Sequence, residues 1–143
     1  MALFTVCIDA GHGGKDDGIK RADLVEKDIT LDLALQLGEK LKGVDGLRVA
    51  YTRTGDHHRT LSERAQFANN LECDLYISIH VNGIPGHSRA HGADMFHWPG
   101  NESGEQIANM IASWMPNCLK TKDRKSTRLN SSHSQQSRMP SSA

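Results

Sequence analysis

The chain is poor in cysteine and has no long apolar run, and each shortage removes a class of protein. Three of its 143 residues are cysteine: Cys7, Cys73 and Cys118. They are odd in number and widely spaced, so they form neither a disulfide framework nor a C-x-x-C metal knuckle. Cys7 lies inside an apolar run and reads as a small buried residue. No stretch approaches the roughly 20 apolar residues of a membrane-spanning helix. No charged-then-apolar leader precedes the first apolar run, which begins almost at Met1. The chain is therefore expected either to be made without a secretory signal or to be trimmed at its start. Internal repeats are absent too. Formal net charge is zero, but it is unevenly spread: residues 1–119 carry a net of −5 and residues 120–143 a net of +5. An acidic body offers no electrostatic footprint for nucleic acid.

What is present is organised around Val6 to Gly14, where an apolar run ends in a histidine set among glycines. The run reads as a buried strand over residues 3–9. Gly11, Gly13 and Gly14 then allow a tight loop. His12 thus sits where a strand opens into a loop, the usual place for a site in an α/β sheet. Residues 10–25 read as one long Gly- and Asp-rich loop. Residues 27–42 read as a helix by length and composition, with Ile29, Leu33, Leu37 and Leu41 at a four-residue step. A second strand is expected over Leu47–Thr52. Thr60 and Glu63 have capping-box spacing, which predicts a helix from Leu61 to Asn70. A third strand follows over Asp74–His80 and a fourth over Ala93–Trp98. Ser103 and Gln106 repeat the capping spacing before a helix with Ile107, Met110, Ile111 and Trp114 on one face, stopped by Pro116. Strands alternating with helices predict an α/β fold: a twisted, mostly parallel sheet flanked by helices, in one domain.

A zinc site in a hydrolase typically takes three ligands from His and carboxylate side chains and keeps a fourth position for water. His12 follows the first strand, His80 ends the third, and Glu26 precedes the first helix, so all three return to one edge of the sheet. Each also has a plainer reading. Histidines are commonly hydrogen-bonded structural residues, and Glu26 could serve as an acid at a helix N-terminus. The glycines could form an anion-binding turn, although no Lys-Ser/Thr pair follows as in a P-loop.

The order of motifs resembles the zinc-dependent N-acetylmuramoyl-L-alanine amidases of the amidase-3 type. Asp9 to Gly14 matches Asp-x-Gly-His-Gly-Gly, and Glu26-Lys27-Asp28 matches the Glu-Lys-Asp that opens a helix. Thr52-Arg53, then Leu61, Arg64, Ala68 and Asn69, then Asp74 to Asn82, match the next blocks. Gly92 to Trp98 matches a Gly-led strand ending in aromatics. The resemblance implies one Zn²⁺ on His12, Glu26 and His80, peptidoglycan as substrate, and water attack on the amide between N-acetylmuramic acid and L-alanine. It implies action at the bacterial cell wall, periplasmic or extracellular, either as an autolysin or as a phage lysin made in the cytoplasm. An activating protein partner is left open. Asn82, Arg53 and Arg64 are candidate substrate contacts; for the two arginines structural ion pairing is preferred, and Asn82 could equally cap a turn. Asp9 and Ser78 are candidates for holding the metal histidines by hydrogen bonds. The other histidines (His57, His58, His87, His91, His97) read mostly as loop or surface residues, and Trp98 and Trp114 as packing residues in preference to sugar-stacking platforms.

The family's catalytic glutamate lies on a late strand, and no such segment follows Asp123-Arg124. Glu102 and Glu105 are the nearest acids but match nothing catalytic. The amidase-like domain is therefore expected over residues 1–124, cut short, with 125–143 as translated foreign sequence or a disordered tail. Only Leu129, Met139 and Ala143 are apolar among residues 120–143, too few to support a fold. On that expectation the chain binds zinc but hydrolyses poorly or not at all. The rival readings are a metal-retaining peptidoglycan-binding module and a zinc carboxypeptidase acting on stem peptides.

Overall fold

The strand β1 (Phe4–Ala10) is buried on both faces, and the arrangement of its neighbours follows from that. In the computed structural model, which describes residues 3–81, 93–119 and 125–127, with side chains through residue 115, β1 is the centre of a three-stranded sheet. Its partners are β4 (Leu47–Tyr51) and β5 (Leu75–Ile79), both parallel to it. Parallel strands need crossover connections, which here are α1 (Glu26–Leu41) and α2 (Leu61–Asn70). Val6, Ile8 and Ala10 pack with Ala34 of α1, joined by Leu31, Leu37, Leu41, Val49, Tyr51, Ile77 and Ile79. The alternate residue Asp9 points the other way, to an ion pair with Arg64 of α2. The register pairs Ile8 with Tyr51 and Ala10 with Ile79. All three strands therefore end together, and the loops after them meet at one edge.

α1 turns a different stripe inward from the one its leucines suggest. Its buried residues are Glu26, Thr30, Ala34 and Gly38, while Leu33 is exposed. Small residues let the helix approach the sheet closely: a Cβ on Gly38 would lie 1.7 Å from the Tyr51 hydroxyl oxygen. The expected long loop over 10–25 contains a short antiparallel pair, β2 (Lys20–Arg21) and β3 (Leu24–Val25). The capping box on α2 forms as expected, with Thr60 accepting from the Glu63 amide and Glu63 accepting from the Thr60 amide.

The described residues group into two compact units, 3–81 and 93–119 with 125–127. The second unit pairs β6 (Ala93–Met95) in parallel with β7 (Lys125–Thr127), and α3 (Glu102–Leu119) packs on both. β7 lies in the stretch expected to be unstructured; backbone pairing over three residues needs no apolar side chain. Asn101, rather than Ser103, caps α3, since its Oδ1 accepts the Gly104 amide at 2.8 Å. The helix continues past Pro116, where a stop is expected, although proline there gives up the backbone bond to residue 112. Its inward residues are Ala108 and Ala112, whereas Met110 and Trp114 are exposed, one position off the expected face. Among the described residues no helix is long and apolar enough to cross a membrane.

Candidate metal centre

Beyond Ala10 the first strand loses its partners, and its carbonyls need new donors. Two arginines and a threonine supply them. Arg53 donates from Nε to the Ala10 carbonyl and from Nη2 to the Gly11 carbonyl, both at 2.9 Å. Arg64 donates from Nη1 to Ala10 at 2.7 Å and from Nη2 to the His12 carbonyl at 2.6 Å. Thr30 Oγ1 adds a bond to the Gly11 carbonyl at 2.7 Å. His12 itself adopts a left-handed backbone, φ 62°, a conformation that non-glycine residues hold only when their surroundings enforce it. Gly13 and Asp16 then exchange backbone hydrogen bonds and close the turn.

Arg53 and Arg64 are turned inward in this frame, in keeping with the structural role preferred for them. Both are buried, and their donors are spent on the chain's own carbonyls and on Asp9. The preferred ion pairing holds for Arg64; Arg53 is bound to carbonyls of Ala10, Gly11, Lys27 and Gly55. Asp9 and Ser78 are also placed differently from expectation. Burial opposes the charge on Asp9, but hydrogen bonds from Thr52, Ser78 and Arg64 outweigh it and hold the carboxyl below its ordinary range. Among the described residues, neither Asp9 nor Ser78 bonds to an imidazole ring. Their task is to tie β1, β5, α2 and the start of the 52–60 loop together beneath the site.

Glu26 begins α1 and is only 3% exposed. Its Oε1 accepts the Val81 amide at 2.8 Å and its Oε2 the Ile19 amide at 2.9 Å. Burial again opposes the charge, yet these amides and His12 keep the carboxyl below its usual range. The same Oε1 lies 3.2 Å from His12 Nε2 and 3.2 Å from His80 Nδ1. The two rings meet edge to face, centroids 4.9 Å apart and planes at 83°. One donor atom from each of His12, Glu26 and His80 thus falls within 4.8 Å of the others. Ligands about 2.0–2.1 Å from a tetrahedral ion lie about 3.3 Å apart, so the donor set and its spacing fit a bound metal ion. The pocket is shaped for these groups: a Cβ on Gly11 would come 2.5 Å from the His80 ring, and one on Gly18 would come 2.6 Å from both Glu26 Oε2 and His12 Cδ2.

Three residues to which the sequence alone assigned no role of their own, Asp16, Lys27 and Asp56, hold the loop. Asp16 Oδ2 lies 3.0 Å from His12 Nδ1. Lys27 Nζ donates to the Gly14 carbonyl and pairs with Asp17 and Asp56. Asp56 also accepts the Gly14 amide. Hydrogen bonds from Lys20 and Lys27 pull the Asp17 carboxyl down to about 2. The position of Asp16, four residues after the histidine in an acid-rich loop, is the one signal that could have flagged it. Asn82, His87 and His91 lie outside the described residues. His57 and His58 are exposed, and Glu102 and Glu105 stand in the first turn of α3. Trp98 and Trp114 are exposed rather than packed. Cys7 is fully buried as expected, and burial pushes its thiol up to about 12.

Comparison with known proteins agrees with this geometry. The sequence profile of the family described as N-acetylmuramoyl-L-alanine amidase (Amidase_3) matches residues 6–143. The germination-specific N-acetylmuramoyl-L-alanine amidase of Bacillus subtilis is 31% identical over 139 residues, covering 87% of this chain and 58% of that protein. An endolysin of Bacillus phage SPP1 is 40% identical over 81 residues, 57% of this chain and 30% of its own length. Among solved structures, an N-acetylmuramoyl-L-alanine amidase from Clostridium difficile 630 superposes with a TM-score of 0.80 at 33% identity, over 87% of this chain and 68% of that one. The chain thus spans little more than half the length of the germination amidase, and it belongs to the N-acetylmuramoyl-L-alanine amidase family.

Proposed function

We infer that the chain carries the metal-binding part of a zinc amidase that cleaves peptidoglycan between N-acetylmuramic acid and L-alanine. The observation that supports this best is the convergence of His12, Glu26 and His80 at the ends of β1 and β5 in a chain of this family. Two imidazoles and a carboxylate suit zinc among the common divalent ions. Zinc, when held there, supplies Lewis-acid chemistry that acidifies water and polarises an amide carbonyl. The residues of the chain supply the rest. Glu26 is fixed through both oxygens by backbone amides, so it presents a charged donor without searching for a rotamer. Arg53, Arg64 and Thr30 hold the carbonyls of residues 10–12 and with them the His12 backbone. Asp9, Thr52 and Ser78 brace that frame from below. The substrate is at the bacterial cell wall, where the amidases and the endolysin related to this chain also point.

Digestion of purified peptidoglycan by the zinc-loaded chain, followed by mass spectrometry of the soluble products, tests the reading. Stem peptides with a free L-alanine amino end support an amidase. Release of C-terminal D-alanine indicates a carboxypeptidase. Absence of any product from a chain with one zinc bound is the outcome expected where the late catalytic glutamate is missing; it leaves the metal-binding part standing and favours a binding module over a carboxypeptidase.

A further inference from the structure

His12 is held in a left-handed backbone conformation, and its ring touches two carboxylates, one at each nitrogen. Nε2 faces Glu26 Oε1 at 3.2 Å, and Nδ1 faces Asp16 Oδ2 at 3.0 Å. A neutral imidazole carries one N–H and one lone pair, and which nitrogen carries the proton is set by the hydrogen bond the other groups offer. A carboxylate accepts only. We propose that Asp16 is the positioning residue for His12: it accepts the Nδ1–H, so that the Nε2 lone pair is aimed at the position shared with Glu26 and His80. This rests on the metal reading given above and adds a residue that acts through His12 without touching the ion.

The rest of the loop is built to keep Asp16 in place. Its amide and carbonyl are both bonded to Gly13, at 3.1 and 2.8 Å. Its second oxygen, Oδ1, accepts the Gly18 amide at 3.1 Å. The carboxylate therefore cannot swing away from the ring without giving up a bond to its own loop. The neighbouring Asp17 differs: its carboxylate pairs with Lys20 and Lys27 and makes no contact with either imidazole among the described residues. The two adjacent acids share a loop and a charge but only one of them holds a ring, which separates a positioning role from a general electrostatic one.

The test is zinc affinity of the full chain, read by competition with a chromogenic chelator, alongside the melting temperature of the metal-free chain. Asp16→Ala should weaken zinc binding about 10–100-fold, the usual loss when the partner of a metal-bound histidine is removed. Asp16→Asn, which keeps an acceptor but not the charge, should bind more tightly than Asp16→Ala and less tightly than the wild type. Asp17→Ala, which frees Lys27 but touches neither imidazole, should lower affinity less than Asp16→Ala. Wild-type affinity in Asp16→Ala, or an equal loss in Asp17→Ala, overturns the proposal while leaving the metal site standing. If Asp16→Ala does not fold, Asp16→Asn decides: affinity equal to wild type overturns it. A wild-type chain that takes up no zinc removes the metal reading itself and this inference with it.

Discussion

The two faces of β1 are made of different materials. Toward α1 the strand presents Val6, Ile8 and Ala10, packed among leucines, valine and isoleucines. Toward α2 it presents Thr5, Cys7 and Asp9, and the dominant contact is a buried ion pair with Arg64 braced by Thr52 and Ser78. The first face is non-directional: burial of apolar area holds it, and similar side chains can replace one another at modest cost. The second is directional. The Asp9 oxygens and the Arg64 donors there all have partners, and losing one leaves the other stranded in a low-dielectric setting. The directional face is also the one that reaches the site, because Arg64 continues from Asp9 to the carbonyls of Ala10 and His12. One face makes the sheet stable; the other fixes where His12 stands.

Perturbations of each face should separate these roles. Removing Arg64 is the largest: Arg64→Ala leaves Asp9 buried and unpaired and should cost about 3–5 kcal/mol, read by denaturant unfolding. A loss no greater than that of a surface substitution would erase the distinction between the faces. Next comes acid. The Asp9 carboxyl is held below its unfolded value of about 3.9, so its contribution is complete above that pH and disappears as pH falls through the lower folded value. Thermal melts of the metal-free chain should therefore fall more steeply below about pH 4 in the wild type than in Arg64→Ala, where the pair is already broken; parallel curves would contradict this.

On the apolar side, Gly38→Ala sets two effects against each other. Alanine improves helix propensity by about 1 kcal/mol, but its Cβ would meet the Tyr51 hydroxyl at 1.7 Å, and overpacking costs about 1–3 kcal/mol. Net destabilisation is expected, and a stabilised variant would show that α1 can lift off the sheet. The smallest change is Ile8→Val, expected to cost about 0.5–1.5 kcal/mol with zinc affinity unchanged. Lost affinity there would mean that the apolar face also positions the site.

The same division explains what could be read from the sequence. β1, β4, β5, α1 and α2 are legible within a residue or two, since apolar runs, glycine stops and the Thr60–Glu63 capping box are local signals. That His12, Glu26 and His80 lie together is legible because parallel topology sends all three to one edge, but singling them out as a ligand set took the resemblance to the amidase family. The inward stripe of α1 is not legible, since Thr30, Ala34 and Gly38 are chosen by closeness to the sheet and not by hydrophobicity. The ion pairing preferred for Arg64 is met, but the carbonyl partners of Arg53 and the ring contact of Asp16 are not legible, because a charged residue in a sequence carries no mark of whether its partners are carbonyl or ring. The β2–β3 pair escapes notice for another reason: strands of two residues have no periodicity, and closure onto Glu26, whose amide bonds the Ile19 carbonyl, sets them.

The most direct test of the account is zinc content per chain in the wild type, His12→Ala and His80→Ala, measured by elemental analysis after loading and exhaustive dialysis. A cluster that holds the ion through His12, Glu26 and His80 predicts stoichiometric zinc in the wild type and its loss in both variants. Full zinc in both variants would contradict the site, and the geometry at the end of β1 would then be a structural cluster of hydrogen bonds.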